Sequence, residues 1–144
     1  MTRNEKIIYL AGFFDAEGTI CISHRNDRAS YDLRITVSQK DIEPLPLFVE
    51  VFGGKIYKTH RHGVHCLNQY NLTPKINIKY FLDCVYPYLI TKKKEADVAY
   101  RFILATENCE NGGYWKNLTP EKRVERKICY EECKELKQLK YAYV

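Results

Sequence analysis

The sequence predicts an α+β fold of order αββαββα, with a four-stranded antiparallel sheet and further helices at its C-terminal end. Three observations carry that prediction. Residues 5–17 hold apolar side chains at helical spacing; residues 19–24 and 31–38 alternate apolar with polar, a pattern that returns at 55–60 and 65–72; and helix-starting and helix-stopping residues punctuate the intervals. With 144 residues and 45% hydrophobic content, the chain can bury a core without disulfide or metal support, and one domain over 1–144 is expected.

In the first helix, Ile7, Leu10 and Phe14 share the side that sinks into the core. Gly12 and Ala16, four apart, make a flat strip with Tyr9 and Phe13 alongside, which admits a second helix at close range. Gly18 is expected to end the helix in the left-handed conformation open to glycine. Glu17 is then left in the last turn, where the carbonyl end of the helix is already partly negative and a cation would resolve the conflict.

The first hairpin should point Ile20, Ile22, Leu33, Ile35 and Val37 inward. Alternation then places Thr19, Cys21, Ser23 and Arg25, with Asp32, Arg34 and Thr36, on the open face. A polar turn joins the strands at 25–30. Asp41 opens a second helix that runs through Pro44 and Pro46 to Phe52 and is closed by Gly53-Gly54. The second hairpin, turning at His62-Gly63, repeats the polar pattern with Tyr57, Thr59, Gln69 and Asn71. Arginines and short hydrogen-bonding side chains on an antiparallel sheet suit major-groove base edges, where Arg pairs with guanine and amides with adenine.

Thr73-Pro74 should cap a third helix to about Val85; Pro87 interrupts, and Thr91 starts a long helix to about Glu107. After a loop at 108–117, Thr119-Pro120-Glu121 begins a last helix carrying Val124, Ile128 and Leu136 or Leu139.

Charge adds a mild bias. The 23 basic and 18 acidic residues leave a net +5, which leans toward nucleic acid. The longest apolar run, 7–14, is too short to span a bilayer and no signal peptide is visible, so an intracellular chain with no membrane partner and no small-molecule substrate is expected. Its six cysteines lack paired CxxC hooks and read as reduced thiols, with Cys129 and Cys133 sharing a buried stripe. The cluster His60-Arg61-His62-Gly63-Val64-His65-Cys66 holds zinc-ligand residue types without zinc-site spacing, and a hairpin offering basic and polar groups to DNA explains it as well.

The string Leu10-Ala11-Gly12-Phe13-Phe14-Asp15-Ala16-Glu17-Gly18 resembles the signature helix of the LAGLIDADG homing endonucleases, matching at Leu10, Ala11, Gly12, Asp15 and Gly18. Phe13 and Phe14 replace two aliphatics, and Glu17 replaces the final Asp while keeping a hard oxygen ligand. The likeness extends over most of the first hundred residues and fades beyond Asn108. Only one copy of the motif is present, so the resemblance implies a homodimer packed through Tyr9, Gly12, Phe13 and Ala16. It further implies Mg²⁺ held at Glu17 and Ala16, with Mn²⁺ or Ca²⁺ able to substitute in binding, and catalytic roles for Glu17, for Gln39 at the end of the second strand and for Lys92 after Pro87-Tyr88-Leu89. The activity implied is hydrolysis of both strands of a long pseudo-palindromic DNA site, of intron- or intein-encoded type. Relatives that act as RNA maturases or regulators supply the alternative, a nucleic-acid-binding protein that does not cut.

Overall fold

The computed structural model describes residues 1–25, 30–61, 64–106 and 118–141, with the side chains of Arg25, Arg61, Val64, His65, Cys66 and Tyr141 outside that description. Both hairpin turns, the 108–117 loop and most of the His60 to Cys66 cluster therefore lie outside the described residues. The elements are α1 (Arg3–Glu17), β1 (Gly18–Arg25), β2 (Ser30–Gln39), α2 (Leu45–Phe52), β3 (Lys55–Arg61), β4 (Val64–Leu72), α3 (Lys75–Val85), a 3-10 turn (Tyr86–Tyr88), α4 (Lys93–Leu104) and α5 (Pro120–Tyr141). The strands form one sheet in the order β1-β2-β4-β3, and β4 runs antiparallel to both β2 and β3. The chain packs as two compact units, Met1–Ile20 with Arg34–Lys93 and Cys21–Leu33 with Lys94–Val144.

In the first unit, α1 starts two residues earlier than its apolar spacing suggests, because Thr2 and Glu5 form a capping box. The Thr2 hydroxyl accepts from the Glu5 amide at 3.2 Å and the Glu5 carboxylate accepts from the Thr2 amide at 2.6 Å. Leu10, Ala11 and Phe14 are fully buried, and Ile7 is half-buried. The Phe14 ring meets Phe81 edge-on at 4.9 Å, and Phe81 meets Phe52 at 4.8 Å, which locks α1, α2 and α3 through aromatic edges. Ile20, Ile35 and Val37 are buried, as is Tyr70, which stands opposite Val37.

Gly18 departs from expectation. Its backbone is extended, at φ −82° and ψ 170°, so the left-handed angle is not what selects glycine there. A Cβ at this position would overlap the Phe14 ring, and the constraint is therefore close approach of ring to backbone. Positive φ is found instead at Gly53 and Gly54, 77° and 93°, where the chain leaves α2 and Gly53 accepts the Tyr70 hydroxyl at 2.8 Å.

Helix α2 begins at Leu45 and not at Asp41, since the Leu45 amide first closes a tight turn on the Ile42 carbonyl at 2.9 Å. Helix α4 starts at Lys93, two residues after Thr91, and it ends at Leu104, beyond which the Thr106 hydroxyl donates to the Ile103 carbonyl at 2.7 Å.

In the second unit, Ile22 and Leu33 are buried, as are Ala96, Val98, Ala99, Phe102 and Ile103 of α4. Helix α5 buries the cysteine pair as expected, but not the aliphatic positions expected with it. Cys129, Cys133 and Arg126 are buried, while Val124, Ile128 and Leu139 are exposed and Leu136 is half-buried. Arg126 earns its interior position by laying its guanidinium over the Phe102 ring at 4.7 Å. Both cysteines are free thiols; burial raises the pKa of each, that of Cys129 to about 11, which leaves little thiolate for reaction at neutral pH. Among the described residues no helix is long and apolar enough to cross a membrane.

Replacing Gly18 by Ala should destabilise the chain by about 1–3 kcal/mol, since the new methyl must displace a ring already packed on Phe81. Denaturant unfolding measures it, and an unchanged midpoint would contradict the close-approach reading.

Candidate functional site

Two features of the first unit stand out as a site: the carboxyl end of α1 and the open face of the sheet. At the first, the Asp15 carboxylate accepts hydrogen bonds from three successive amides, Ile90 at 3.2 Å, Thr91 at 3.0 Å and Lys92 at 3.0 Å. Those amides lie just ahead of α4, which starts at Lys93, so Asp15 satisfies donors that no helical carbonyl could. The Lys92 ammonium turns back and donates to the Asp15 carbonyl at 2.6 Å, passing 5.9 Å from the centre of the Phe14 ring. Lys92 is thereby held two positions from Glu17, whose side chain is exposed at the helix end.

Partial burial pushes the Asp15 carboxyl upward, and the amides of Thr91, Lys92 and Ile90 with the Lys92 charge outweigh it, so the pKa falls below the ordinary carboxylate value. The three adjacent lysines are separated by these contacts. Lys93 lies 5.2 Å from the Tyr86 ring centre and Lys94 lies in the second unit, which leaves Lys92 as the one fastened to α1. The sequence reading matched Asp15 to a motif and gave it no task. An acid closing an otherwise apolar helix was the available signal.

On the sheet, register brings the expected polar residues together. Thr36 faces Asn71, which faces Lys55; Ser38 faces Gln69, which faces Tyr57; Thr59 faces Leu67. Facing residues point to the same side, so Thr36, Tyr57, Thr59, Gln69 and Asn71 share one surface with Arg34, two positions before Thr36. Among the remaining expected residues, Asp32 is exposed and Thr19, Cys21 and Ser23 are half-buried, while the Arg25 side chain is outside the described residues. Gln39 ends β2 opposite Asn68. Alternation puts it on the face of the buried Val37, away from Thr36 and Ser38, so it does not belong to the same polar surface.

The small-residue strip of α1 is uncovered. Gly12 and Ala16 are exposed, Tyr9 is 46% exposed, and nothing lies within 4 Å of a Cβ placed on Gly12. Ile8, at 45% exposure, joins this strip although the sequence reading omitted it. Phe13 is half-buried and leans on Phe48 at 6.1 Å, so only part of it is available to a partner.

The arrangement is that of a single-motif α+β protein with an open sheet beside a carboxylate-ended helix. The sequence profile of the LAGLIDADG endonuclease family matches residues 10–104, and the chain belongs to that family. No curated protein matches it. Among solved structures, the archaeal intron-encoded homing endonuclease I-Vdi141I, complexed with DNA, superposes with a TM-score of 0.76 at 20% identity, covering 92% of this chain and 84% of the other. The homing endonuclease I-CvuI, in complex with its target and in the presence of calcium, gives 0.72 at 21% identity, with 93% and 83% covered. The homing endonuclease I-TnaI gives 0.66 at 19%, with 92% and 93% covered.

Asp15→Ala should cost about 1–2 kcal/mol, the usual loss when a side chain capping several amides is removed. Because its folded pKa is lowered, Asp15 contributes its full stability above the unfolded value of about 4, and that contribution is lost as pH falls through the folded pKa. Acid unfolding of wild type and Asp15→Ala should therefore converge at low pH and diverge toward neutrality.

Proposed function

We propose that the chain is a site-specific double-strand DNA endonuclease, of intron- or intein-encoded type, that works inside the cell as a homodimer with a divalent cation. The observation that carries this reading is Lys92 fastened to the end of α1 beside an exposed Glu17, with an uncovered Gly12 and Ala16 strip on the same helix. Family membership and the DNA complexes of I-CvuI and I-Vdi141I support it.

Two copies packed strip to strip would bring their Glu17 side chains toward one twofold axis, since each glutamate follows its own Ala16. Two carboxylates approaching in this way repel unless positive charge lies between them. The donors present, the Glu17 carboxylate and the last-turn carbonyls with Ala16 among them, are hard oxygens of the kind Mg²⁺ takes. They fit in chemistry but are few: among the described residues no three His, Cys, Asp or Glu side chains cluster for a metal within one chain. The remaining ligands would come from the second copy and from substrate phosphate, so the site is complete only when both are present. When bound, the cation would activate water and stabilise the leaving oxygen of the phosphodiester.

The protein's own contributions are then positional. Lys92, anchored by its backbone on Asp15, offers a fixed ammonium close to the scissile phosphate, where developing charge needs stabilisation. The open sheet face, with Arg34 and Lys55 among amides and hydroxyls, holds the duplex. Gln39 is retained as a positioning residue for this chemistry, acting from the edge of β2 where the strand ends.

Glu17→Gln should bind a cognate duplex within a few-fold of wild type while cleaving it about 10³-fold more slowly. Retained cleavage in that variant would defeat the assignment. Gly12→Leu fills open space in the protomer and should leave its fold intact while converting a dimer to a monomer on sizing; a dimer that survives the substitution, or a monomeric wild type, would remove the twofold reading.

A further inference from the structure

Helix α5 carries its charges sorted by flank. Arg123, Lys127, Tyr130, Lys134 and Lys137 follow one another at steps of four and three, which on a helix makes one stripe about 21 Å long. Glu121, Glu125, Ile128, Glu132 and Glu135 follow at the same steps and make a second stripe, roughly opposite the first. The acidic flank has a partner within its own unit, since Glu132 accepts from the Arg101 guanidinium of α4. On the basic flank Lys127 and Lys134 are exposed, and among the described residues no carboxylate pairs with either. Like charges four apart, as at Arg123 and Lys127, repel along a helix surface. An exposed helix shaped only by its own stability would intersperse the two signs, so the sorting calls for an anion.

Tyr130 stands at the middle of the basic stripe, and rings from the first hairpin join it there. His24 of β1 stacks on Tyr31 of β2, 4.8 Å between centres and 30° between planes. Tyr130 lies 5.2 Å from Tyr31 and 6.1 Å from His24. All three belong to the second unit. The cluster is not sealed: His24 is exposed, and the two tyrosines are half-buried. Burial, with the charge of Glu131 beside it, raises the Tyr31 pKa, so that hydroxyl stays protonated as a hydrogen-bond donor.

A row of basic side chains attracts a chain of phosphates, and an open aromatic ring accepts the flat face of a base. The bases of a duplex are already stacked on their neighbours and hidden from such a ring, whereas an unpaired strand presents them. An acidic peptide brings charge with no base. We propose that the basic flank of α5, with His24 and Tyr31 beside it, binds a single nucleic-acid strand, its phosphates along Arg123, Lys127, Lys134 and Lys137 and a base stacked on the aromatic cluster. This site uses none of the residues assigned above to cleavage, to the twofold seam or to the sheet face, so its failure would leave the proposed function standing.

The test measures binding of labelled oligothymidine of about 12 nucleotides, an unstructured strand within the usual site sizes, to the whole chain over a range of salt. Wild type should bind it, and should bind polyglutamate at least about 10-fold more weakly. Lys127→Gln combined with Lys134→Gln should weaken strand binding roughly 10-fold and reduce the salt slope by about 1.4, the value for two phosphate contacts on a single strand. His24→Ala should weaken it roughly 10-fold with the slope kept, because it removes a stacking ring and no lysine. Glu131→Gln should strengthen it, since a negative charge leaves the edge of the stripe. All four positions are exposed, so the variants should melt near the wild-type temperature and bind a duplex as wild type does. A strand left unbound by wild type, an affinity and slope unchanged in the lysine variant, or polyglutamate bound as tightly as the strand overturns the inference. So does a loss of duplex binding that parallels the loss of strand binding, which would give this flank to the duplex.

Discussion

One carboxylate holds the site in register. Asp15 takes the amides of Ile90, Thr91 and Lys92, and no other group in α1 reaches so far along the sequence with so many bonds. Charge-assisted bonds to backbone are stronger and shorter than neutral ones, and three of them on one side chain leave the segment entering α4 little freedom to move. The outcome is chemical as well as mechanical. Lys92 cannot wander, and its ammonium is returned to the Asp15 carbonyl at the helix end where Glu17 emerges. An exposed lysine on a free loop would sample many positions; this one is held by its own backbone.

The helix end is held from the other side by packing. Phe14 lies between the Gly18 backbone and the Phe81 ring, so the turn bearing Glu17 rests on the aromatic core. Orientation of a reacting group to within a fraction of an ångström comes from support of this sort, rigid elements locked by their neighbours. The signature helix thus uses its faces for different purposes: Leu10 and Phe14 bury inward, Gly12 and Ala16 stay open, and Asp15 ties the end down.

Much of this was legible in the sequence because it depends on period. Alternation in β1 and β2 sorted Ile20, Ile22, Leu33, Ile35 and Val37 from their polar neighbours, and all five are buried. What escaped depends on pairing across the chain. The amides ahead of α4 are taken up by a residue some 75 positions earlier, which no local helix signal contains. The buried stripe of α5 includes Arg126, a charged residue admitted to the interior by an aromatic ring that spacing rules cannot foresee. Gly18 was identified as necessary for the wrong reason, since close approach and unusual torsion both select glycine and only coordinates separate them. The unpaired buried atoms of Arg34 and Asn71 escape for a similar cause, since satisfaction is a property of neighbours.

Strand alternation has a consequence for how such a chain can change over time. Every second residue of β2 and β4 belongs to the core, and those between belong to the outer surface, so the two sets can be altered almost independently. Thr36, Gln69 or Asn71 can thus be exchanged without disturbing Val37, Tyr70 or the end of α1. Innovation is cheap on one side of the ribbon and forbidden on the other, a division that lets one scaffold carry many different outer surfaces.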